Sequence, residues 1–463
     1  MSWKNVALAG LLVGAMAMAA SMRATAQEGS ESSNSTVTFN KDVLPILQKN
    51  CQTCHRPGEV APMSLITYQD ARPWAKAMKA AVISKKMPPW FADPAYGHFS
   101  NDKRLSEADI KTLAAWVDGN APEGAAKDKP EPVKWVEGWG FEPDMVIEMP
   151  LDIPLQATGT INYQNILVKV NFPEDRWVMA ADLRPSNAKA VHHMRANVRP
   201  PGSTFMKNAV PGVAYDTADP TMRAGKGPAE EPADLLGKYN PGLGAQDFSE
   251  YESAKFVPKG SDIIFNMHYT AIGKETTDRS RLALKFVKNP PKYRYFSNSG
   301  PQAFNLVIPA GKRDQEIVSE LTVVGDNVQL VYIQPHMHLR GKDYEVRLIL
   351  PSGEMKTIYK AKWDFNWQQG VDFDKPMPLP KGTRVIGVAH FDNSTENRFN
   401  PDPGKVVFWG PQNWDEMQNC FLSFLVDPRI KDPSKLFEDT GVAKLPKGTS
   451  GPTLEQLSTS AAH

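Results

Sequence analysis

Along this chain the apolar residues follow two different periods. Between residues 39 and 122 they recur at helical spacing. Val43, Leu44 and Leu47 share one side of a helix that Asn40 can cap and that runs toward Cys51. Ile110, Leu113, Ala114 and Val117 form the face of a second helix, opened by Ser106 with Asp109 three residues on, and closed by Gly119. Residues 125–133 are rich in Lys, Asp, Pro and Glu, a linker composition, and beyond them the period falls to two. Tyr344, Val346, Leu348 and Leu350 alternate with polar neighbours, Pro351-Ser352-Gly353 turns the chain, and Thr357-Ile358-Tyr359 resumes it. Similar runs occur at residues 166–170, 262–269 and 385–388. Strands that follow one another without intervening helices predict antiparallel sandwiches, and the stretch is long enough for two. The expected fold class is mainly β with a small α domain: an N-terminal helical domain, then two β-sandwich domains.

The first 26 residues carry a different pattern: Lys4, an apolar run over residues 6–20, then Ala24-Thr25-Ala26. That order predicts a cleaved signal peptide, residues 1–26, and the run is shorter than the roughly 20 residues a membrane span needs. Residues 27–37, rich in Ser, Glu and Asn, read as a flexible lead-in. The expectation is an exported, soluble, periplasmic protein with no stable membrane insertion. Charge adds an exclusion: Lys+Arg 53 against Asp+Glu 52 leaves +1 over 463 residues with no charged block, so neither nucleic acid nor an anionic membrane surface is favoured as a partner. Gly 32 and Pro 39 agree with many turns and short strands. A Pro- and Gly-rich stretch at residues 211–244 suits a lid or a surface insertion equally.

Cys 3 rules out a disulfide scaffold and directs attention to Cys51-Gln52-Thr53-Cys54-His55. Thiols at i and i+3 on one turn can reach the two vinyl groups of a porphyrin, and the next imidazole points at the iron, so Cys51, Cys54 and His55 predict one covalent haem c. Zinc would need a second pair of ligands, and Cys420 is far along the chain. Candidates for a sixth ligand are Met63, Met78, Met87 and His98. Met87 is preferred, because Pro88-Pro89-Trp90 makes a stiff extended segment similar to the methionine loop of small c-type cytochromes.

Five of the nine histidines fall in three tight contexts. His192 and His193 are strand neighbours, which share a metal only if the chain bends there. His268 lies in Phe265-Asn266-Met267-His268-Tyr269. His336 and His338 flank Met337, and period-two alternation puts both rings on one face. That last motif alone suits a cupin or a zinc hydrolase as well. Met417, in the polar run Asp415-Glu416-Met417-Gln418-Asn419, shifts the choice, since thioether sulfur favours Cu(I).

With His-His-Met, Met-His-Tyr, His-Met-His-Leu-Arg-Gly and Asp-Glu-Met in that order, residues 140–428 resemble the copper type II, ascorbate-dependent monooxygenases. These include the peptide-amidating and dopamine-hydroxylating enzymes, and this chain resembles a bacterial branch fused to an N-terminal c-type cytochrome domain. The resemblance implies two jelly-roll β-sandwiches and two coppers across a cleft. It implies His192, His193 and His268 as ligands of an electron-transfer copper. His336, His338 and Met417 are implied as the catalytic ligands of an oxygen-binding one. His390 matches no ligand position and reads as structural. Where amidating members have an arginine and a tyrosine that grip the substrate carboxylate, this chain has Gln334 and Phe421, so the likeness does not extend to a peptide substrate.

The organisation expected is a signal peptide (1–26), lead-in (27–37), cytochrome c-like domain (38–123), linker (124–139), two sandwiches (140–290 and 291–435) and a tail (436–463). The function expected is a haem- and copper-dependent monooxygenase that inserts one atom of O2 into a C–H bond of a small organic substrate. Electrons would come from a periplasmic or respiratory donor through the haem, with an ascorbate-like reductant as the other source. The alternative is a non-enzymatic periplasmic redox or copper-handling protein.

Overall fold

Ser106 and Gly119 punctuate the chain as the pattern requires. In the computed structural model, the Ser106 hydroxyl accepts from Asp109 N at 3.0 Å, α4 spans Glu107–Asp118 and Gly119 caps its end. The structure describes residues 36–59, 61–135, 138–217, 234–240, 243–439 and 441. The expected signal peptide, most of the lead-in, residues 218–233 of the Pro- and Gly-rich stretch and the tail beyond 441 lie outside the described residues. Upstream, one π-helical turn (Phe39–Val43) runs into α1 (Leu44–Asn50), followed by α2 (Tyr68–Ala71) and α3 (Ala75–Ile83). The first helix starts at Thr38, not Asn40, because the Asp42 carboxylate accepts from Thr38 N at 2.8 Å. Asn40 is buried and its amide donates to Gly124 O and Ala125 O, both at 3.3 Å, which fastens the end of the helical unit to its beginning. Phe39, Leu44, Leu47, Leu113 and Trp116 make the core of this unit.

Beyond the helices the protein is mainly β, in several sandwich-like layered sheets. The first lobe contributes β1 (Met145–Glu148), β2 (Ile153–Leu155), β3 (Gln164–Val168), β4 (Arg176–Arg184), β5 (Val191–Arg199), β6 (Ala214–Asp216), β7 (Asp234–Tyr239), β8 (Gln246–Asp247), β9 (Ser253–Val257), β10 (Asp262–Tyr269), β11 (Thr276–Asp278) and β12 (Arg281–Val287). The second contributes β13 (Tyr293–Asn298), β14 (Val307–Ile308), β15 (Gln315–Val323), β16 (Val328–His336), β17 (Gly341–Ile349), β18 (Met355–Lys362), β19 (Val371–Leu379), β20 (Arg384–Phe391), β21 (Val407–Phe408), β22 (Asn419–Val426) and β23 (Phe437–Asp439).

A nine-stranded sheet runs through both lobes in the order β1-β12-β4-β9-β13-β22-β16-β19, with β8 beside β4. Its join, β13 against β9, is parallel. In the first lobe its β12 and β4 pack against a five-stranded sheet, β6-β3-β10-β5-β7, over a core that includes Leu183, Leu284, Met194, Val198, Phe265 and Met267. In the second lobe β22 and β16 pack against β18-β17-β20-β15-β23 around Leu330, Ile333, Leu422, Phe424, Val346 and Val385.

Alternation then decides what faces the junction. With Met194 and Met267 paired and turned into the first core, the next pairs, His193 with His268 and Arg195 with Asn266, lie on the opposite face. On β16 and β22, Ile333 pairs with Leu422 in the core, so Gln334 with Phe421 and His336 with Asn419 face outward. These two polar faces meet: Lys238 of β7 donates to Gln334 Oε1 at 3.1 Å and to the Tyr332 hydroxyl.

A strap between α3 and α4 ties the helical unit to the second lobe. Ala92 bridges Ala361 and Phe99 bridges Phe373. Asp93 N donates to Lys360 O at 2.8 Å and Ser100 N to Asp372 O at 2.9 Å. Trp90 and Ala92 are part of the second lobe's core. Among the described residues no helix is long and apolar enough to cross a membrane.

Candidate metal centres

The bend that His192 and His193 require is present. On β10 the register passes from His268 opposite His193 to Tyr269 opposite Val191, so His192 is the extra residue of a bulge and swings to its neighbour's side. The His192 Nδ1 then lies 3.2 Å from His193 Nδ1 and 3.3 Å from His268 Nδ1, and the ligand atoms of all three residues fall within 4.8 Å of one another. Two nitrogens about 2.0–2.1 Å from one ion, at a tetrahedral or right angle, sit about 2.9–3.4 Å apart, so the spacing fits a metal ion. Burial holds all three imidazoles below their ordinary pKa, His268 at about 3 and His193 well below, which keeps them unprotonated and available as ligands. Tyr163 stacks on His268 with ring centroids 4.3 Å apart and fixes its plane.

His336 and His338 stand with ring centroids 5.1 Å apart. In each, Nδ1 is taken: His336 Nδ1 lies 2.7 Å from Gln368 Oε1, and His338 Nδ1 lies 3.2 Å from Asp415 O. An acceptor on Nδ1 puts the proton there and leaves the Nε2 lone pair for a metal. Burial again lowers both, His338 to about 4 and His336 well below the usual range. Met417 is half-buried, two residues before Asn419, the strand partner of His336.

What holds its loop in place is Glu416, fully buried, whose oxygens accept from His338 N at 2.8 Å and Arg340 N at 2.5 Å. Arg340 donates back to Trp414 O at 2.9 Å and to Asn393 Oδ1 at 2.9 Å. Burial pushes the Glu416 carboxyl up, to about 8, against the pull of these donors. Gly341 completes the turn: a Cβ there would lie 2.5 Å from Trp363 Cδ1, and that indole donates to His338 O at 3.0 Å.

The two histidine groups face each other across the lobe junction. Asn413 Nδ2 approaches His268 Nε2 at 3.4 Å, and Phe365 lies parallel to His192 at 6.4 Å between centroids.

No family model matches this chain. No curated protein matches it either. Among solved structures it is similar to the major capsid protein P2 from bacteriophage PM2, 13% identical over 61% of this chain and 98% of that one, with a TM-score of 0.26. It is also similar to PNGF-II, 11% identical over 60% of this chain and 65% of that one, TM-score 0.26. The VP2 subviral particle of infectious bursal disease virus follows, 9% identical over 64% and 76%, TM-score 0.15. At such scores none of them bears on fold detail or chemistry.

The helical unit presents the third group. Cys54 N and His55 N both bond to Cys51 O, at 3.1 and 2.9 Å, so the motif occupies a single turn after α1. His55 Nδ1 lies 3.3 Å from Met63 O, the same arrangement that leaves Nε2 free in the second histidine pair. Met63 itself is partly buried against the core of the helical unit. Burial pushes the Cys51 thiol up to about 12 and raises Cys54, which makes either a poor thiolate at neutral pH. Met78 is core filler in this unit. Met87 is half-buried where the chain leaves α3, its N–H on Ala81 O at 3.2 Å. His98 lies in the strap, where its carbonyl accepts from Asp374 N at 3.2 Å. His390 bonds Asp343 Oδ1 at 2.6 Å on the far sheet of the second lobe.

Glu416, Gln368, Arg340 and Asn413 escaped the reading of the sequence. Two quoted runs contain one of them each, Asp-Glu-Met with Glu416 and His-Met-His-Leu-Arg-Gly with Arg340, but they drew attention only to the methionine and the histidines.

Proposed function

We propose that the chain is an exported monooxygenase carrying one haem c and two coppers, with a cytochrome c-like helical domain ahead of two jelly-roll sandwiches of the copper type II kind. The observation that carries this reading is the pairing of two unlike nitrogen sites across one junction. Three Nδ1 atoms converge on one side, and two imidazoles with free Nε2 atoms stand on the other, beside a methionine loop pinned to them by Glu416. The donor chemistry fits copper in both: imidazole suits either oxidation state, and the thioether favours Cu(I).

His192, His193 and His268 would hold one copper, which supplies electron transfer, and His336, His338 and Met417 the other, which supplies O2 activation. Cys51 and Cys54 would attach the haem, with His55 and Met87 as its axial ligands, and the haem supplies one-electron entry from a periplasmic or respiratory donor. The overall reaction takes RH, O2, two electrons and two protons to ROH and water. The chain's own groups do the positioning. Gln368 and the Asp415 carbonyl fix the tautomers of His336 and His338, while Phe365 and Phe421 line the junction with apolar surface that limits water.

The test is Met417→Ile with copper and iron counted in the same sample. The expected result is loss of substrate-dependent O2 uptake with the three-histidine copper retained. Undiminished O2 uptake would refute the oxygen-site assignment, and two retained coppers with no O2 uptake on any substrate in the parent chain would favour a copper-handling role.

A further inference from the structure

Residues 363–370 carry the chain from β18 to β19 with no ladder of their own, and the last three, Gln368, Gln369 and Gly370, are gripped from two sides. On the histidine side, Gln334 Nε2 donates to Gln368 O at 2.8 Å, and Gln368 Oε1 lies 2.7 Å from His336 Nδ1. On the other side is the strap between α3 and α4. Gln369 Nε2 donates to Pro89 O, and Asn101 Nδ2 donates to Gly370 O at 3.1 Å and to Asp372 Oδ2 at 2.7 Å. Asp372 N returns a bond to Asn101 Oδ1 at 3.1 Å. The strap is itself fixed, with Trp90 and Ala92 in the second lobe's core, and its Phe91 lines one small cavity with Trp367, Gln369 and Pro335. Gln368 has no second hold on its amide, because Nε2 is buried without a partner. Which way that amide faces therefore depends on where the backbone of residues 368–370 is held. Turned over, it would offer an NH2 group to Nδ1 and leave the imidazole proton on Nε2, the atom a metal needs.

From this geometry we infer that the strap is a positioning element of the second histidine site, and that Gln369 and Asn101 are its positioning residues. By fastening residues 368–370 to the strap they keep Gln368 Oε1 on His336 Nδ1, and so keep the His336 Nε2 lone pair open. The bonds that do this join residues 269 and 280 apart, one partner in the strap and the other beside the site. His338 has a different support, the Asp415 carbonyl on the loop that Glu416 fastens. A disturbance that starts at the strap therefore reaches His336 and spares His338. The inference deepens the function proposed above and rests on it in one respect, since an open Nε2 has a use only when a metal sits there. The clamp on His336 stands on hydrogen bonds alone.

The experiment is long-range nitrogen–proton NMR on the full, metal-free chain with isotope-labelled histidine, at about pH 8, where imidazoles are neutral. The ring-nitrogen shifts report which nitrogen carries the proton, and the two rings are assigned by the signals lost in His336→Asn and His338→Asn. The parent is expected to show His336 with its proton on Nδ1. Gln369→Glu keeps the volume but has no proton to give Pro89 O, and Asn101→Ala removes the second hold. Each should move the His336 tautomer ratio toward Nε2–H at least about fivefold, the worth of about one hydrogen bond, with His338 unchanged within about twofold. Asn366→Ala, in the same segment but bonded to Asp364, should leave both rings as in the parent. A parent His336 protonated on Nε2, no shift in either variant, or equal shifts of both rings would overturn the inference, and the first of these needs no variant to fold. Copper counted after loading separates the two ideas. Two coppers with no tautomer response would discard the inference alone, and a tautomer response in a chain that retains no copper would discard the monooxygenase reading alone.

Discussion

Deleting the Glu416 side chain tests whether one buried carboxyl builds the second histidine site. Glu416→Ala strands two backbone donors, His338 N and Arg340 N, in a region with no access to water. Each orphaned buried donor costs about 1–3 kcal/mol, so a loss of roughly 4 kcal/mol is expected, in line with the breaking of a buried network. Glu416→Gln keeps the volume and one acceptor oxygen but turns an amino group toward the second donor, which should cost about half as much, roughly 2 kcal/mol. Guanidinium unfolding followed by tryptophan fluorescence reads this, because Trp363, Trp367 and Trp409 all lie in the second lobe. The site gives a second readout. Without Glu416 the Met417 loop is no longer fastened to the His336–His338 turn, so Cu(I)-loaded protein should lose its sulfur scattering in copper X-ray absorption while three-histidine copper persists. A metal-free stability within about 1 kcal/mol of the parent, or sulfur scattering at full strength in Glu416→Ala, would refute the reasoning.

Other perturbations are equally specific. Asp439 has a buried oxygen without a partner, and burial pushes its carboxyl up to about 6. Unfolded, with a pKa near 3.9, it binds fewer protons than when folded, so the stability tied to this group is complete below about pH 4 and is lost as the pH rises through about 6. Asp439→Asn should therefore stabilise by roughly 3 kcal/mol at pH 7 and by nothing at pH 3; equal effects at both pH values would disprove this. Met87→Ala should turn a low-spin haem spectrum high-spin, and an unchanged low-spin spectrum would exclude Met87 as the sixth ligand. Trp90→Ala removes a large side chain from the second lobe's core and should cost about 3–5 kcal/mol there, with new proteolysis in the strap; a change under about 1 kcal/mol would mean the strap is only laid on the surface.

The parts of this structure that could be read in advance are those decided locally. The cap on α4 depends on residues three apart, and the strand over Asp262–Tyr269 on a short run of mostly apolar, β-favouring residues. The bend at His192 was legible as a condition, since neighbouring strand residues cannot otherwise share a ligand. At Asn40 the local pattern misleads: Thr38 stands at the cap with its N–H on the Asp42 carboxylate, while Asn40 turns inward to Gly124 O and Ala125 O, partners 84 and 85 residues on that no local pattern reveals. Glu416 lies 78 residues from His338 and Asn413 lies 145 from His268, separations that no spacing rule addresses. Their partnerships come from register between strands and from the way two sheets face each other. The strap was legible as extended, from its prolines, but its destination was not.

That strap alters what it would mean to cut this protein into pieces. The chain enters the helical unit, crosses to the second lobe at Trp90, and comes back to form α4 before it begins the first lobe. A fragment starting at residue 124 would therefore lose Trp90 and Ala92 from a core it otherwise retains whole, and a fragment ending there would carry those same side chains into water. Gene boundaries drawn at the linker do not coincide with any boundary in the packing. The helical unit and the β lobes therefore share one packed core, and a cut at the linker opens it.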